Sequence, residues 1–210
     1  MTEHYNRFSG QSLERLIALT DGLFAVAMTL LVLGLRVPAG AIRTDHGLWE
    51  ALLRLGPSFA AYLLSFTMLG TFWLAQHTLL GIFGRCDRTL SWISLGFLFV
   101  VSLLPFSAAL LAHYVHLRLA VGVYWLNILL LGAGLEAAAR YGRTLVPGDD
   151  QQARPRLTTF RRRILLAQIL YALAALICLI STVASVIALA LVQLYFIVSP
   201  RLPRRQNPAA

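Results

Sequence analysis

The 210-residue chain contains no lysine; all eighteen of its basic residues are arginine. Acidic residues number only nine, and charged residues of both signs make up 13% of the chain. A soluble domain carries roughly a quarter. There are two cysteines, Cys86 and Cys178, with no metal-ligand spacing around either, so the sequence supports neither a disulfide framework nor a zinc site. P-loop, HExxH and GxSxG motifs are absent, as are paired intramembrane acids. No catalytic constellation is left, so the sequence reads as a non-enzyme without a cofactor. A TVGYG-type carbonyl filter is missing too. The polar opening "MTEHYNRFSGQSLERL" lacks the basic region, short apolar core and small-residue cleavage site of a signal peptide.

What is present is hydrocarbon. Hydrophobic residues make up 58% of the chain, and the mean hydropathy is +0.71. These values place the chain in the membrane class before any motif is considered. Its net charge of +9 would point to nucleic acid in a soluble protein. In a membrane protein, arginines flank the spans and set their orientation, so no nucleic-acid partner is expected. The partner implied by composition is the lipid bilayer.

A span takes about 20 mainly apolar residues. Four segments meet this clearly, at about 16–36, 55–80, 90–112 and 117–139. The apolar run 164–198 is too long for one ordinary helix. Split at Ser181–Thr182, it yields two short spans of about 17 residues each. The expected fold is therefore an all-α integral membrane protein with six transmembrane helices per subunit, N-in and C-in. In that arrangement fourteen arginines lie on the cytoplasmic side and four (Arg36, Arg43, Arg54 and Arg118) lie outside. This is the bias that orients spans. The expected organisation is one six-helix unit over residues 1–200 and a disordered cytoplasmic tail over 201–210. The stretch "RYGRTLVPGDDQQARPRLTTFRRR", 140–163, reads as the main soluble linker, with a turn at Pro147-Gly148-Asp149-Asp150. Its triplet Arg161, Arg162 and Arg163 reads as an orientation signal or as a contact to anionic headgroups. No internal repeat is visible, so a symmetric pore would have to come from oligomerisation.

Charges within spans cost roughly 2.5–3.5 kcal/mol each at the membrane centre on insertion scales, which makes the few polar positions informative. Glu136 pairs with Arg140 four residues on. Asn127 and Gln193 are suited to holding helices together. Asp21 and His77 fall toward the cytoplasmic ends of the first two spans, at similar depth, with Arg15 just below. Together they make either a structural polar clamp or an ion-attracting, pH-sensitive gating cluster. Trp73, four residues before His77, shares its helical face. Pro105 removes one backbone hydrogen bond and can kink the third span. In the first span Gly22, Val26, Thr29, Leu30 and Leu33 recur along one stripe. The stripe fits a packing seam, and it equally fits an apolar pore with one hydroxyl to meet a partly dehydrated cation. Spacing does not choose between them.

Several motifs occur in order. "RLIALTDGLFAVAMTLLVLGLRVP" carries Arg15 and then Leu19-Thr20-Asp21. It resembles the first helix of the transmembrane protein 175 family, lysosomal potassium channels of animals with single-repeat homologues in bacteria and archaea. The family signature there is Arg, three residues, Phe-Ser-Asp. "FWLAQH" (72–77) resembles the family's second-helix Trp and His motif, "SLLPFS" its third-helix ending, and "VYWLN" its fourth-helix Tyr and Asn. Ser94 stands where the family often has Asn.

The resemblance implies a homotetramer of six-helix subunits in the plasma membrane of a prokaryote. The first helices would line a central pore with a hydrophobic constriction. Carried over by position, the pore lining is Val26, Thr29, Leu30 and Leu33, and the polar network behind it is Arg15, Thr20, Asp21, Trp73 and His77. The implied activity is passive conduction of potassium in preference to sodium. Two other functions are open on the residues alone: proton-permeable or proton-coupled transport, motivated by Asp21 and His77, and a structural membrane protein without conduction. Permeant partners would be potassium, other monovalent cations or protons.

Overall fold

A computed structural model describes residues 13–38, 42–83, 85–146 and 153–198. Arg7, the 147–150 turn, the tail 201–210 and the C-terminal arginines lie outside the described residues. Seven α-helices are present among those described. They are α1 (Leu13–Leu31), α2 (Asp45–Arg54), α3 (Gly56–Leu80), α4 (Arg88–His113), α5 (Arg118–Gly142), α6 (Ala153–Leu176) and α7 (Thr182–Val198). Five are long and apolar enough to cross a membrane: α1, α3, α4, α5 and α6, the first and last counted with their 3-10 extensions. The 17-residue α7 is equally apolar but shorter.

Helix boundaries follow local chemistry. Asp87 caps α4 by accepting the Leu90 amide at 2.8 Å, satisfying a donor that the helix itself leaves open. The last long apolar run breaks at Ile180 and Ser181, and the Ser181 hydroxyl accepts the Ala184 amide at 3.3 Å to start α7. α4 runs unbroken through Pro105.

Three features depart from the sequence expectations. α6 does not begin near residue 164; it starts at Ala153, inside the stretch expected to be a linker. Five arginines mask the helix there, but Ala153, Leu157 and Ile164 are buried at spacings of four and seven, one helical face. Pro155 lies in the first turn, where it breaks no intrahelical bond. The short α2, between the first two long helices, has no counterpart in the six-span reading. It is capped by Thr44, whose hydroxyl accepts the Gly47 amide at 3.1 Å. The first long helix tightens into a 3-10 turn at Val32–Gly34, which carries Leu33.

The α4–α5 pair is the most extensive packing contact, and α1 packs on α4 and α3. Phe24 of α1 meets Phe97 of α4 with ring centroids 6.0 Å apart. Two glycines permit close approach: a Cβ at Gly142 would lie 1.9 Å from the Phe83 ring, and one at Gly132 would lie 1.8 Å from Gln168 Nε2. The space at Gly132 lets the Gln168 amide reach the Ile128 carbonyl at 3.3 Å, joining α6 to α5.

Polar side chains do the remaining tying. Gln193 of α7 donates to the Thr67 carbonyl at 2.8 Å and to Thr71 Oγ1 at 2.6 Å on α3, and accepts the Tyr171 hydroxyl of α6 at 2.6 Å. One amide thus joins three helices. Asn127 donates to the Val100 carbonyl at 3.3 Å. Both join neighbouring helices. Ser65 and the buried Tyr124 share a 3.1 Å hydrogen bond between α3 and α5.

Candidate functional site: the first helix and the polar pair behind it

α1 has two faces. Leu16, Thr20, Phe24, Ala27 and Leu31 are buried against the bundle, spaced as one side of a helix. The opposite side is open. Val26 is 56% exposed, Leu30 45% and Leu33 71%, and Gly22 and Thr29 are exposed with them. The sequence-derived stripe therefore does not pack inside this subunit, which removes an intrasubunit seam as its explanation. The Thr29 hydroxyl donates to the Val26 carbonyl at 2.8 Å. Its hydrogen is thereby committed to the helix, and the oxygen keeps acceptor capacity on the open face.

Behind the buried side of α1 sits the polar group. Trp73 of α3 donates its indole Nε1–H to Asp21 Oδ1 over 2.7 Å, with both residues half-buried. The His77 ring lies one turn along, its centroid 5.8 Å from that of Trp73 and its plane tilted by 34°. Asp21 and His77 are thus linked through Trp73, with no direct hydrogen bond between them among the described residues. Arg15 is exposed, six residues before Asp21 on the same helix. Thr20 is not joined to this pair by a hydrogen bond: it is buried, and its hydroxyl donates back to the Leu16 carbonyl at 2.8 Å. A hydroxyl this close to its own helix backbone satisfies itself locally, which the motif alone does not reveal.

Three features escaped the sequence reading. Gln76 is 1% exposed, and neither atom of its amide has a protein partner among the described residues. It lies inside the quoted "FWLAQH", four residues after the buried Phe72, and that spacing would have placed it on the core face. Arg161 joins Glu136: its Nη2 stands 2.5 Å from Oε1, while Arg140 Nε reaches the same oxygen at 2.8 Å. The expected i,i+4 pair is therefore also a bridge from α5 to α6. In the α3–α4 turn, Arg85 donates to the Thr144 carbonyl at 3.4 Å and the Tyr141 hydroxyl donates to Asp87. Burial pushes the half-buried Cys86 thiol above its ordinary pKa; the Ser91 hydroxyl partly offsets this and the Asp87 charge adds to it. No group of three or more His, Cys, Asp or Glu that could hold a metal ion occurs among the described residues.

A family model described as the endosomal/lysosomal potassium channel TMEM175 matches residues 15–105, from the start of α1 to Pro105 of α4. A protein named as a potassium channel in Streptomyces collinus is 32% identical over 190 residues, covering 87% of this chain and 90% of its own length. The chain belongs to the TMEM175 family. The crystal structure of a TMEM175 homologue from Chamaesiphon minutus, described as a lysosomal potassium-selective channel homologue, superposes with a TM-score of 0.78. Its sequence identity is 30%, and the match covers 88% of this chain and 96% of that one. A more distant TMEM175 protein of Danio rerio, named as an endosomal/lysosomal proton channel, is 26% identical over 135 residues, 64% of this chain but 26% of the fish protein. The matched TMEM175 segment contains α1, Asp21, Trp73 and His77, so every residue of the candidate site lies within it.

Proposed function

We propose that this chain is one subunit of a passive cation channel that conducts potassium in preference to sodium. The subunit crosses the plasma membrane of a prokaryote six times, with both termini cytoplasmic, and α7 is the sixth span. Four copies close around an axis. The exposed face of α1 lines the pore, with Val26, Leu30 and Leu33 as an apolar constriction and Thr29 as the one oxygen ligand. Asp21 of α1 and Trp73 and His77 of α3 hold α1 from behind, with Arg15 at the interface.

The observation that carries this reading is the exposure of Val26, Leu30 and Leu33 beside a fully buried opposite face in which Phe24 is 1% exposed. Similarity to proteins named as potassium channels supports the choice of ion. An apolar constriction holds ions back by dewetting rather than by a carbonyl ring. Putting an amide there should wet it. Potassium flux into proteoliposomes is expected to rise in Val26→Asn and Leu30→Asn; unchanged flux in both, with folded protein, would remove these residues from the pore.

A second reading has its own observation. The Asp21 carboxylate accepts the Trp73 indole N–H and the His77 ring lies beside that indole, and relatives such as the Danio rerio protein are named as proton channels. In that reading the pore passes protons. Proton flux in potassium-free liposomes that disappears in Asp21→Asn would favour it over potassium conduction.

A further inference from the structure

The N-terminal turns of α6 have a surface that the conduction path does not use. Ala153, Leu157 and Ile164 fasten one side of the helix to the bundle. At 100° per residue, Arg162 falls opposite that line and Arg163 on its flank. Both are exposed, and neither is ion-paired among the described residues. Their neighbour Arg161 behaves differently, turning back to Glu136 with only 20% of its side chain exposed.

Immediately beyond Arg163 the open side of α6 becomes hydrocarbon: Leu165, Leu166, Ile169 and Leu173 are all exposed. The change from guanidinium to hydrocarbon takes one helical turn. In a bilayer such a change falls at the boundary between headgroups and acyl chains. An orientation signal requires positive charge on one side of the membrane. It does not require two arginines turned away from the protein and continuous with an apolar stripe.

We infer that Arg162 and Arg163 bind the phosphate headgroup of an anionic phospholipid, whose acyl chain lies along Leu166, Ile169 and Leu173. A guanidinium presents a planar fork of donors that matches phosphate oxygens. The occupant is a membrane lipid rather than a free phosphate, because the basic pair continues into the apolar stripe. Among the described residues no carboxylate is ion-paired with either arginine, and Glu136 is already shared between Arg140 and Arg161. The inference shares the membrane placement of the proposed function and is independent of the ion conducted.

The test is thermal unfolding of the purified full chain in detergent, titrated with phosphatidylglycerol or with phosphatidylcholine. A ligand bound by the folded state raises the midpoint with its concentration. Phosphatidylglycerol is expected to raise it by several degrees and phosphatidylcholine to leave it nearly unchanged. Arg162→Gln/Arg163→Gln is expected to lose that rise, and Arg162→Lys/Arg163→Lys to keep part of it. The same rise in wild type and the Gln double variant would overturn the inference. So would equal rises with both lipids, or a rise of the same size with inorganic phosphate alone. Should the double variant not fold, the count of phosphatidylglycerol molecules retained by each single Gln variant in native mass spectrometry serves instead. Fewer than in wild type supports the site, and an equal count overturns it.

Discussion

Trp73 and Asp21 meet at 2.7 Å, an indole N–H on α3 donating to a carboxylate on α1. The contact fixes the orientation of α1 against α3, eight residues into α1. Hydrogen bonds to a charged group contribute about 1.5–3 kcal/mol. Trp73→Phe is expected to lower the unfolding midpoint in detergent by several degrees, and Asp21→Asn by less. The decisive quantity is the coupling in Trp73→Phe/Asp21→Ala, expected to be about 1 kcal/mol or more because either of those changes alone already removes the shared bond, whereas an asparagine amide oxygen still accepts from the indole. Strictly additive effects would show that the pair contributes nothing jointly.

Gln193 offers a second test, of the helix ties. Its carbonyl oxygen takes the Tyr171 hydroxyl at 2.6 Å, and its amide nitrogen donates to α3. Interhelical hydrogen bonds in membranes average about 0.6 kcal/mol and reach about 1.7. Gln193→Leu is expected at the upper end, because it leaves the Tyr171 hydroxyl unpaired in an apolar interior. Adding Tyr171→Phe removes the orphaned group, so Gln193→Leu/Tyr171→Phe should be more stable than Gln193→Leu alone. If the double variant unfolds at a lower temperature than the single one, the tie has been misread.

Much of this bundle was readable as hydropathy. The starts and ends of α3, α4 and α5 follow the apolar segments closely, because a membrane-crossing helix must be both long and apolar. α6 was not readable at its start. Its first eleven residues carry five arginines, and hydropathy averages away the two buried positions among them, Ala153 and Leu157. α2 was lost because ten residues with mixed polarity carry no span signal. At the candidate site, the stripe Val26, Thr29, Leu30 was legible as a stripe but not as an open face, since periodicity does not say whether a face is covered. The Asp21–Trp73 bond depended on which face of α3 turns toward α1, which spacing within one helix leaves undetermined. The hydrogen bond of Thr20 to the Leu16 carbonyl is a local choice that a motif match does not contain.

Cys86 gives a prediction that depends on pH. Burial, outweighing the Ser91 hydrogen bond, holds the thiol above its ordinary pKa, so the reactive thiolate is a small minority at neutral pH. In a Cys178→Ser background, maleimide labelling of Cys86 is expected to be slower at neutral pH than labelling of a free thiol compound. The rate should climb about tenfold per pH unit and continue to climb past the pH where the free compound levels off. Labelling that levels off earlier than the free compound would place the thiol in an activating environment and contradict this account.

The central claim is a pore that prefers potassium along the open face of α1. It is tested most directly by a planar-bilayer recording of the purified chain, with potassium on the cytoplasmic side and an equal concentration of sodium on the other. The account predicts a current whose reversal potential is negative on the cytoplasmic side, because potassium leaves more readily than sodium enters. A reversal potential of zero, or correctly folded protein that carries no current, would contradict it.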